Sequence, residues 1–120
     1  MTETACPATA DERISIEPCG KRVQATFKGE VIADSERALV MRETGYPPRI
    51  YFPRADVRMD LLRPTAHKTH CPFKGDAAYW TLSVGGATLE NAAWAYPETL
   101  PGVAAIAGHL SFAEAVQTDL

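Results

Sequence analysis

The chain has 120 residues, a formal net charge of −3, and hydrophobic and charged fractions of 46% and 22%. These values fit a soluble domain large enough to bury one core, and no stretch reaches the ~20 apolar residues of a membrane-spanning helix. The first residues have neither the basic nor the apolar region of a secretory signal. We therefore expect a cytoplasmic protein without membrane contact, whose three cysteines are reduced.

The charge is distributed unevenly along the chain. Residues 49–75 contain six lysines and arginines against two acids, although the whole chain is acidic. This local positive charge can attract a small anionic ligand, or it can be a solvated face that balances acids elsewhere. The acidic total argues against extended nucleic acid as a partner.

The N-terminal half of the chain has the alternating pattern of short strands. Residues 1–12 show no hydrophobic period and are predicted to form a loose tail before a single domain over residues 13–118. Beyond the tail, apolar and polar residues alternate, and the KGE sequence at 28–30 predicts a hairpin turn. The predicted strands lie, in chain order, at 13–18, 22–27, 31–34, 38–44 and 49–52.

The second half continues this pattern after one short helical segment. Pro53 begins a segment that has apolar residues four positions apart and ends at Pro64, which predicts one or two short helical turns. Gly85 and Gly86 predict a type I′ turn between two longer strands. Closely spaced strands with little room for helix predict an all-β fold, a single compact antiparallel β-domain built from hairpins. The predicted strands of this half lie at 79–84, 87–96 and 109–112.

The CPFKG sequence at 71–75 contains the first candidate for chemistry. As a metal ligand, Cys71 would join His67 and His70, but structural zinc sites draw on two separated pairs of ligands, so we expect no metal and no cofactor. As a nucleophile, Cys71 would need its thiolate stabilised by nearby positive charge, which Lys74 and His70 can supply. The alternative is a small buried residue beside a turn.

Other residues complete a predicted anion-binding pocket beside this turn. Lys74 precedes a glycine and can direct its ammonium group at a phosphate or a carboxylate, and Arg58 is the second candidate cation. Glu90 shares a predicted strand face with Trp94 and Tyr96, and a buried carboxylate needs a partner. Glu90 can therefore act as an acid or base, or form a structural ion pair. The predicted aromatic wall of the pocket consists of Tyr51, Trp80, Trp94 and Tyr96.

Three segments together resemble one known family. They are KGEVIADSERALVMRETGYPPRIYFPRADVRMDLL at 28–62, CPFKGDAAYW at 71–80, and GGATLENAAWAYPETLPGVAAIAGHLSF at 85–112. Their order is similar to that in the bacterial and fungal domain-of-unknown-function family 427, which is also filed under a nucleotidyltransferase label. The resemblance implies a compact, tent-like β-structure. It points to Tyr51, Phe52, Pro53, Cys71, Pro72, Lys74, Gly75, Glu90, Ala93, Trp94, Tyr96 and Pro97 as the positions of the family pattern.

The leading functional hypothesis is a cytoplasmic module that binds a small anionic metabolite or nucleotide near the CPFKG turn. One alternative is a cysteine-dependent enzyme in which Cys71 is the nucleophile and Glu90 or a histidine moves protons. A second is the nucleotidyltransferase that the family label implies, although Asp56 and Asp60, its candidate Mg²⁺ ligands, lie among arginines that would neutralise them. A third is a protein-interaction module. The sequence sets no oligomeric state.

Overall fold

The computed structural model describes residues 14–43, 47–71, 75–99, 105–113 and 115–118, and the predicted tail at 1–12 lies outside them. The described chain forms ten β-strands, paired antiparallel throughout. The predicted all-β antiparallel fold is therefore confirmed. The strands are β1 (Ile14–Pro18), β2 (Val23–Phe27), β3 (Glu30–Ser35), β4 (Leu39–Glu43), β5 (Arg49–Tyr51), β6 (Leu62–Cys71), β7 (Gly75–Val84), β8 (Ala87–Ala95), β9 (Leu110–Phe112) and β10 (Gln117–Thr118).

The strands are arranged in three sheets, with the orders β1-β4-β5, β10-β2-β3 and β6-β7-β8-β9. Phe52, directly after β5, and Leu110 of β9 exchange two backbone hydrogen bonds of 2.8 Å. These bonds place β5 beside β9, so the first and third sheets form one continuous surface.

Two hairpin turns share one backbone conformation, which the sequence predicted for Gly85-Gly86. The φ angles of Lys28 and Gly29 are 53° and 81°, and those of Gly85 and Gly86 are 54° and 87°. A positive φ at both central residues is the signature of a type I′ turn, whose twist matches that of the flanking strands. The predicted hairpins β2–β3 and β7–β8 are thus both present.

The helical content is as small as predicted. The segment after β5 forms two isolated 3₁₀ turns, Arg54–Asp56 and Met59–Leu61, and neither turn contains a buried residue. This confirms the expectation of one or two short helical turns. Among the described residues, no helix is long and apolar enough to cross a membrane.

The hairpin of β6 and β7 is longer than the sequence pattern predicts. Each strand has ten residues, whereas the alternation predicted a strand only from residue 79. β6 is an edge strand that pairs with β7 alone, and a bulge interrupts the pairing between Pro64 and Lys68. An edge strand with proline, charged residues and a bulge has no regular hydrophobic alternation, so periodicity does not reveal it.

Because adjacent residues of a strand point to opposite faces, the continuous surface buries side chains on both of its sides. We call the larger cluster, which includes the inner face of β2 and β3, the main core. The cluster on the opposite side is the aromatic cluster. The main core includes Val23, Ile32, Phe52, Trp80, Leu82 and Leu110. The aromatic cluster consists of Met41, Tyr51, Ala77, Tyr79, Trp94, Tyr96 and Ile106.

Candidate functional site

The aromatic cluster brings together three of the four predicted wall residues. Tyr51, Trp94 and Tyr96 belong to it, with exposed fractions of 0%, 7% and 3%. Trp80 does not belong to it. It follows Tyr79 along β7, so its side chain points to the opposite face and packs in the main core. The four aromatic residues therefore do not line a single pocket.

Arg49 is the cation that contacts the aromatic cluster. It lies two residues before Tyr51 on β5 and so shares its face. The guanidinium carbon of Arg49 is 5.3 Å from the centroid of the Trp94 ring, which is a cation–π contact. Arg49 is half-buried and forms no ion pair with a described carboxylate. The Trp94 indole N–H is also buried and has no acceptor among the described residues.

A groove of about 590 Å³ opens beside Arg49, and we call it the Arg49 groove. The buried side chain of Ser111, which pairs with Trp94 across β8 and β9, also lines it. Sequence reasoning included Arg49 only in the basic stretch and did not consider Ser111. The alternation that places Arg49 and Tyr51 on one face was a readable signal for Arg49. The described lining residues are Gln24, Thr26, Pro48, Arg49, Ile50, Ser111, Phe112, Ala113, Val116, Gln117 and Thr118.

Arg58, the cation predicted for the pocket, is engaged elsewhere. Its guanidinium donates two hydrogen bonds to the Asp60 carboxylate, of 2.9 and 2.8 Å, and a third of 3.2 Å to Glu30. The bonds with Asp60 raise the pKa of Arg58 and lower the pKa of Asp60. Arg58 precedes β6 and the CPFKG turn follows it, so a ten-residue strand of about 30 Å separates them. Arg58 therefore lies at the opposite end of β6 from Cys71, the residue that begins the CPFKG sequence.

The second acid of the basic stretch is also paired. The Ser35 hydroxyl donates a 2.6 Å hydrogen bond to Asp56, and the Arg37 guanidinium donates two more, of 3.0 and 3.1 Å. The bond from Ser35 is the main cause that lowers the pKa of Asp56. Both candidate Mg²⁺ ligands of the nucleotidyltransferase hypothesis are thus held by arginines, as the sequence suggested.

Glu90 does not share the environment of Trp94 and Tyr96. A bulge in β8 sets Glu90, Asn91 and Ala92 opposite the single residue Thr81 of β7, and Asn91 has a φ of 53°. The bulge interrupts the strict alternation on which the prediction rested, and the Glu90 side chain is exposed. Glu90 forms no ion pair with a described lysine or arginine.

The CPFKG turn is described only at its two ends. Cys71 closes the β6–β7 hairpin by pairing with Gly75, while its side chain and residues 72–74, including Lys74, lie outside the described part of the chain. Gly75 has a φ of 120°, and a Cβ there would lie 2.8 Å from the Glu98 carbonyl oxygen. Only glycine fits such a close approach of two backbones, so this part of the predicted pattern has a structural reason.

A second pocket, of about 500 Å³, lies beside this turn. On the rung next to Cys71 and Gly75, His70 Nδ1 is 2.6 Å from an Asp76 carboxylate oxygen, and both residues are exposed. Lys68 and Glu98 also line the pocket, so the described residues there carry charges of both signs. No group of three or more His, Cys, Asp and Glu side chains suited to a metal ion occurs in the described ranges.

Comparison with known proteins gives the family of the chain. A family model that carries a nucleotidyltransferase label, and is described as a domain of unknown function (DUF427), matches residues 15–119. The chain therefore belongs to the DUF427 family, as its motifs predicted. No curated protein matches it.

Proposed function

We propose that this DUF427 member is a module that binds a small anionic ligand in the Arg49 groove. The observation that carries the proposal is the state of Arg49, which is half-buried at a groove and faces no described carboxylate. By contrast, Arg22, Arg37, Arg42 and Arg58 all pair with acids.

The arrangement of Arg49 suits it to hold a carboxylate or a phosphate. A guanidinium presents a planar fork of donors that matches either anion in a bidentate contact. Stacking on Trp94 limits the orientations of the fork before a ligand arrives, which reduces the ordering cost of binding. The Ser111 hydroxyl is a second donor in the same groove.

The proposal moves the anion site of the sequence hypothesis away from Arg58. Arg58 already forms ion pairs with Asp60 and Glu30. It would bind a further anion weakly, because the ligand must displace one of these carboxylates. Lys74 lies outside the described residues and keeps its place in the hypothesis of a second pocket at the CPFKG turn.

A cysteine-dependent enzyme is the second candidate function. Its one structural observation is the His70–Asp76 pair on the rung adjacent to Cys71 in the β6–β7 hairpin, although consecutive residues of a strand point to opposite faces of the sheet. A carboxylate that orients a histidine is a common device for activating a nucleophile. The nucleotidyltransferase hypothesis has less support, because Asp56 and Asp60 are both occupied by arginines.

The test of the proposed function is a thermal-shift screen of the purified chain. The probes are inorganic phosphate, ADP, malate and octanoate at millimolar concentration, and at least one of them should raise the melting temperature by mass action. Arg49→Gln should remove the shift. The matched control is Arg63→Gln, which makes the same charge change at an exposed arginine outside the groove.

Two outcomes would contradict the proposal. One is that no probe stabilises the wild-type chain. The other is that Arg49→Gln and Arg63→Gln retain the same shift, measured against the melting temperature of each variant without ligand.

A further inference from the structure

We propose that the ligand of the Arg49 groove is an amphipathic monocarboxylate, a single carboxylate on an apolar body of several carbons, and not a nucleotide or another polyphosphate. This inference rests on the proposed function and specifies the class of its ligand. It is drawn from the charge, the apolar content and the size of the groove.

The charge of the groove matches a monoanion. Arg49 is the one charged side chain among the described lining residues, and the lining includes no described carboxylate. One guanidinium neutralises one carboxylate in a bidentate contact. A polyphosphate carries three or four charges and typically draws on several cations or a bound Mg²⁺. The described lining supplies neither.

The walls beyond Arg49 are mainly apolar. Ile50, Phe112 and Val116, three residues of the main core, line the groove, and Pro48 and Ala113 line it as well. Such walls add to affinity only if the ligand carries apolar carbons that leave water on binding. Inorganic phosphate or acetate would make no use of them.

The groove also offers hydrogen bonds without charge. Thr26 of β2 and Gln117 and Thr118 of β10 line it with hydroxyl and amide groups. A volume of about 590 Å³ exceeds what an isolated anionic group needs and lies within the range of sites for small organic ligands. The groove therefore has room for a ligand body in addition to the anionic group that Arg49 binds.

The test is isothermal titration calorimetry of the wild-type chain with the straight-chain carboxylates from acetate to octanoate. Each methylene that becomes buried tightens binding by up to about fourfold, so we expect octanoate to bind at least about tenfold more tightly than butanoate. Octanol and octylamine have the same body without the carboxylate and should bind at least about tenfold more weakly than octanoate. ADP and pyrophosphate should also bind more weakly than octanoate.

Arg49→Gln should weaken octanoate binding at least about tenfold, whereas Arg63→Gln should leave it unchanged. Arg49→Lys keeps the charge without the fork, and circular dichroism establishes that each variant is folded. An intermediate affinity of Arg49→Lys would support a bidentate contact.

The outcomes separate this inference from the proposed function. If ADP or pyrophosphate binds more tightly than octanoate and depends on Arg49, the groove binds anions but the monocarboxylate inference is overturned. The monocarboxylate inference is likewise overturned if affinity does not increase along the carboxylate series. If no anion binds in an Arg49-dependent way, both proposals fail.

Discussion

Gly75→Ala tests how closely the first residue of β7 packs against the segment that follows β8. Gly75 has a φ of 120°, a conformation that residues with a side chain rarely adopt. A Cβ at this position would lie 2.8 Å from the Glu98 carbonyl oxygen and 3.6 Å from the Thr99 Cα. Both neighbours are backbone atoms, so no side-chain rotation can relieve the contact, and the antiparallel bridge between Gly75 and Thr99 must shift.

Two terms set the size of the effect. A residue held at an unfavourable φ costs about 1–3 kcal/mol, and inserting a methyl group into a close contact costs about 1–3 kcal/mol more. We expect Gly75→Ala to lower the free energy of unfolding by about 2–6 kcal/mol, measured by urea denaturation followed by circular dichroism.

Gly86→Ala is the matched control for this experiment. Gly86 also has a positive φ, of 87°, but a Cβ there would meet nothing within 4 Å. It should therefore show the conformational cost without the clash. If the two variants lose the same stability, the close approach of Gly75 to Glu98 has no energetic weight and the reasoning is refuted.

Two further predictions follow from the pKa shifts. The hydrogen bond from Arg22 lowers the pKa of Asp34 to about 2, below its unfolded value, so this carboxylate stabilises the fold above about pH 4. That contribution should be lost as the pH falls from about 4 to 2, and an NMR titration that gives Arg22→Gln and wild type the same Asp34 pKa would contradict it. Burial raises the pKa of the Cys19 thiol, so at pH 8 its alkylation should be slower in the folded chain than in urea, and equal rates would count against this. Peptide mass spectrometry of the alkylated chain also gives the alkylation rate of Cys71. Rapid alkylation of Cys71 with an apparent pKa below ~7 would favour the cysteine-dependent enzyme.

The sequence predicted those parts of the fold that local rules determine. The type I′ turn at Gly85-Gly86 was predictable because glycine readily adopts the positive φ that both positions require, whereas at Lys28-Gly29 the sequence predicted a hairpin turn without its type. Strand β6 could not be predicted from the sequence, because its pairing with β7 depends on backbone hydrogen bonds rather than on hydrophobic alternation. Strand β10 has two residues and exists through its pairing with β2, a long-range contact that no local pattern encodes.

The candidate site was predictable only in part, for two physical reasons. The alternation of side chains along a strand correctly places Tyr51 and Phe52 on opposite faces of the sheet. The same rule holds only for unbroken strands, and the bulge at Asn91 changes the environment of Glu90. Charge counting identified a basic stretch without showing which cations already have partners. That information depends on contacts distant in sequence, such as the pairing of Arg58 with Glu30.

The partial burial of Arg49 without a described carboxylate partner leads to a last prediction, which concerns the stability of the chain with and without ligand. A half-buried guanidinium loses part of its hydration, and among the described residues no carboxylate compensates Arg49. Residues selected for binding often reduce the stability of the protein without ligand. Arg49→Gln removes the charge, keeps most of the apolar stem, and forfeits the cation–π contact with Trp94, which is worth about 0.5–1 kcal/mol at exposed sites.

Removing the partly desolvated charge stabilises the unliganded Arg49→Gln variant, and losing the cation–π contact destabilises it. The variant should therefore differ from wild type by no more than about 1 kcal/mol in the free energy of unfolding. A loss of more than about 2 kcal/mol would instead show that Arg49 stabilises the fold. Its position beside the groove would then be explained by a structural role, without a ligand. With octanoate present the comparison should change sign or widen, because only the wild-type chain gains stability from binding. The difference between the two conditions, and not either value alone, separates a binding residue from a structural one.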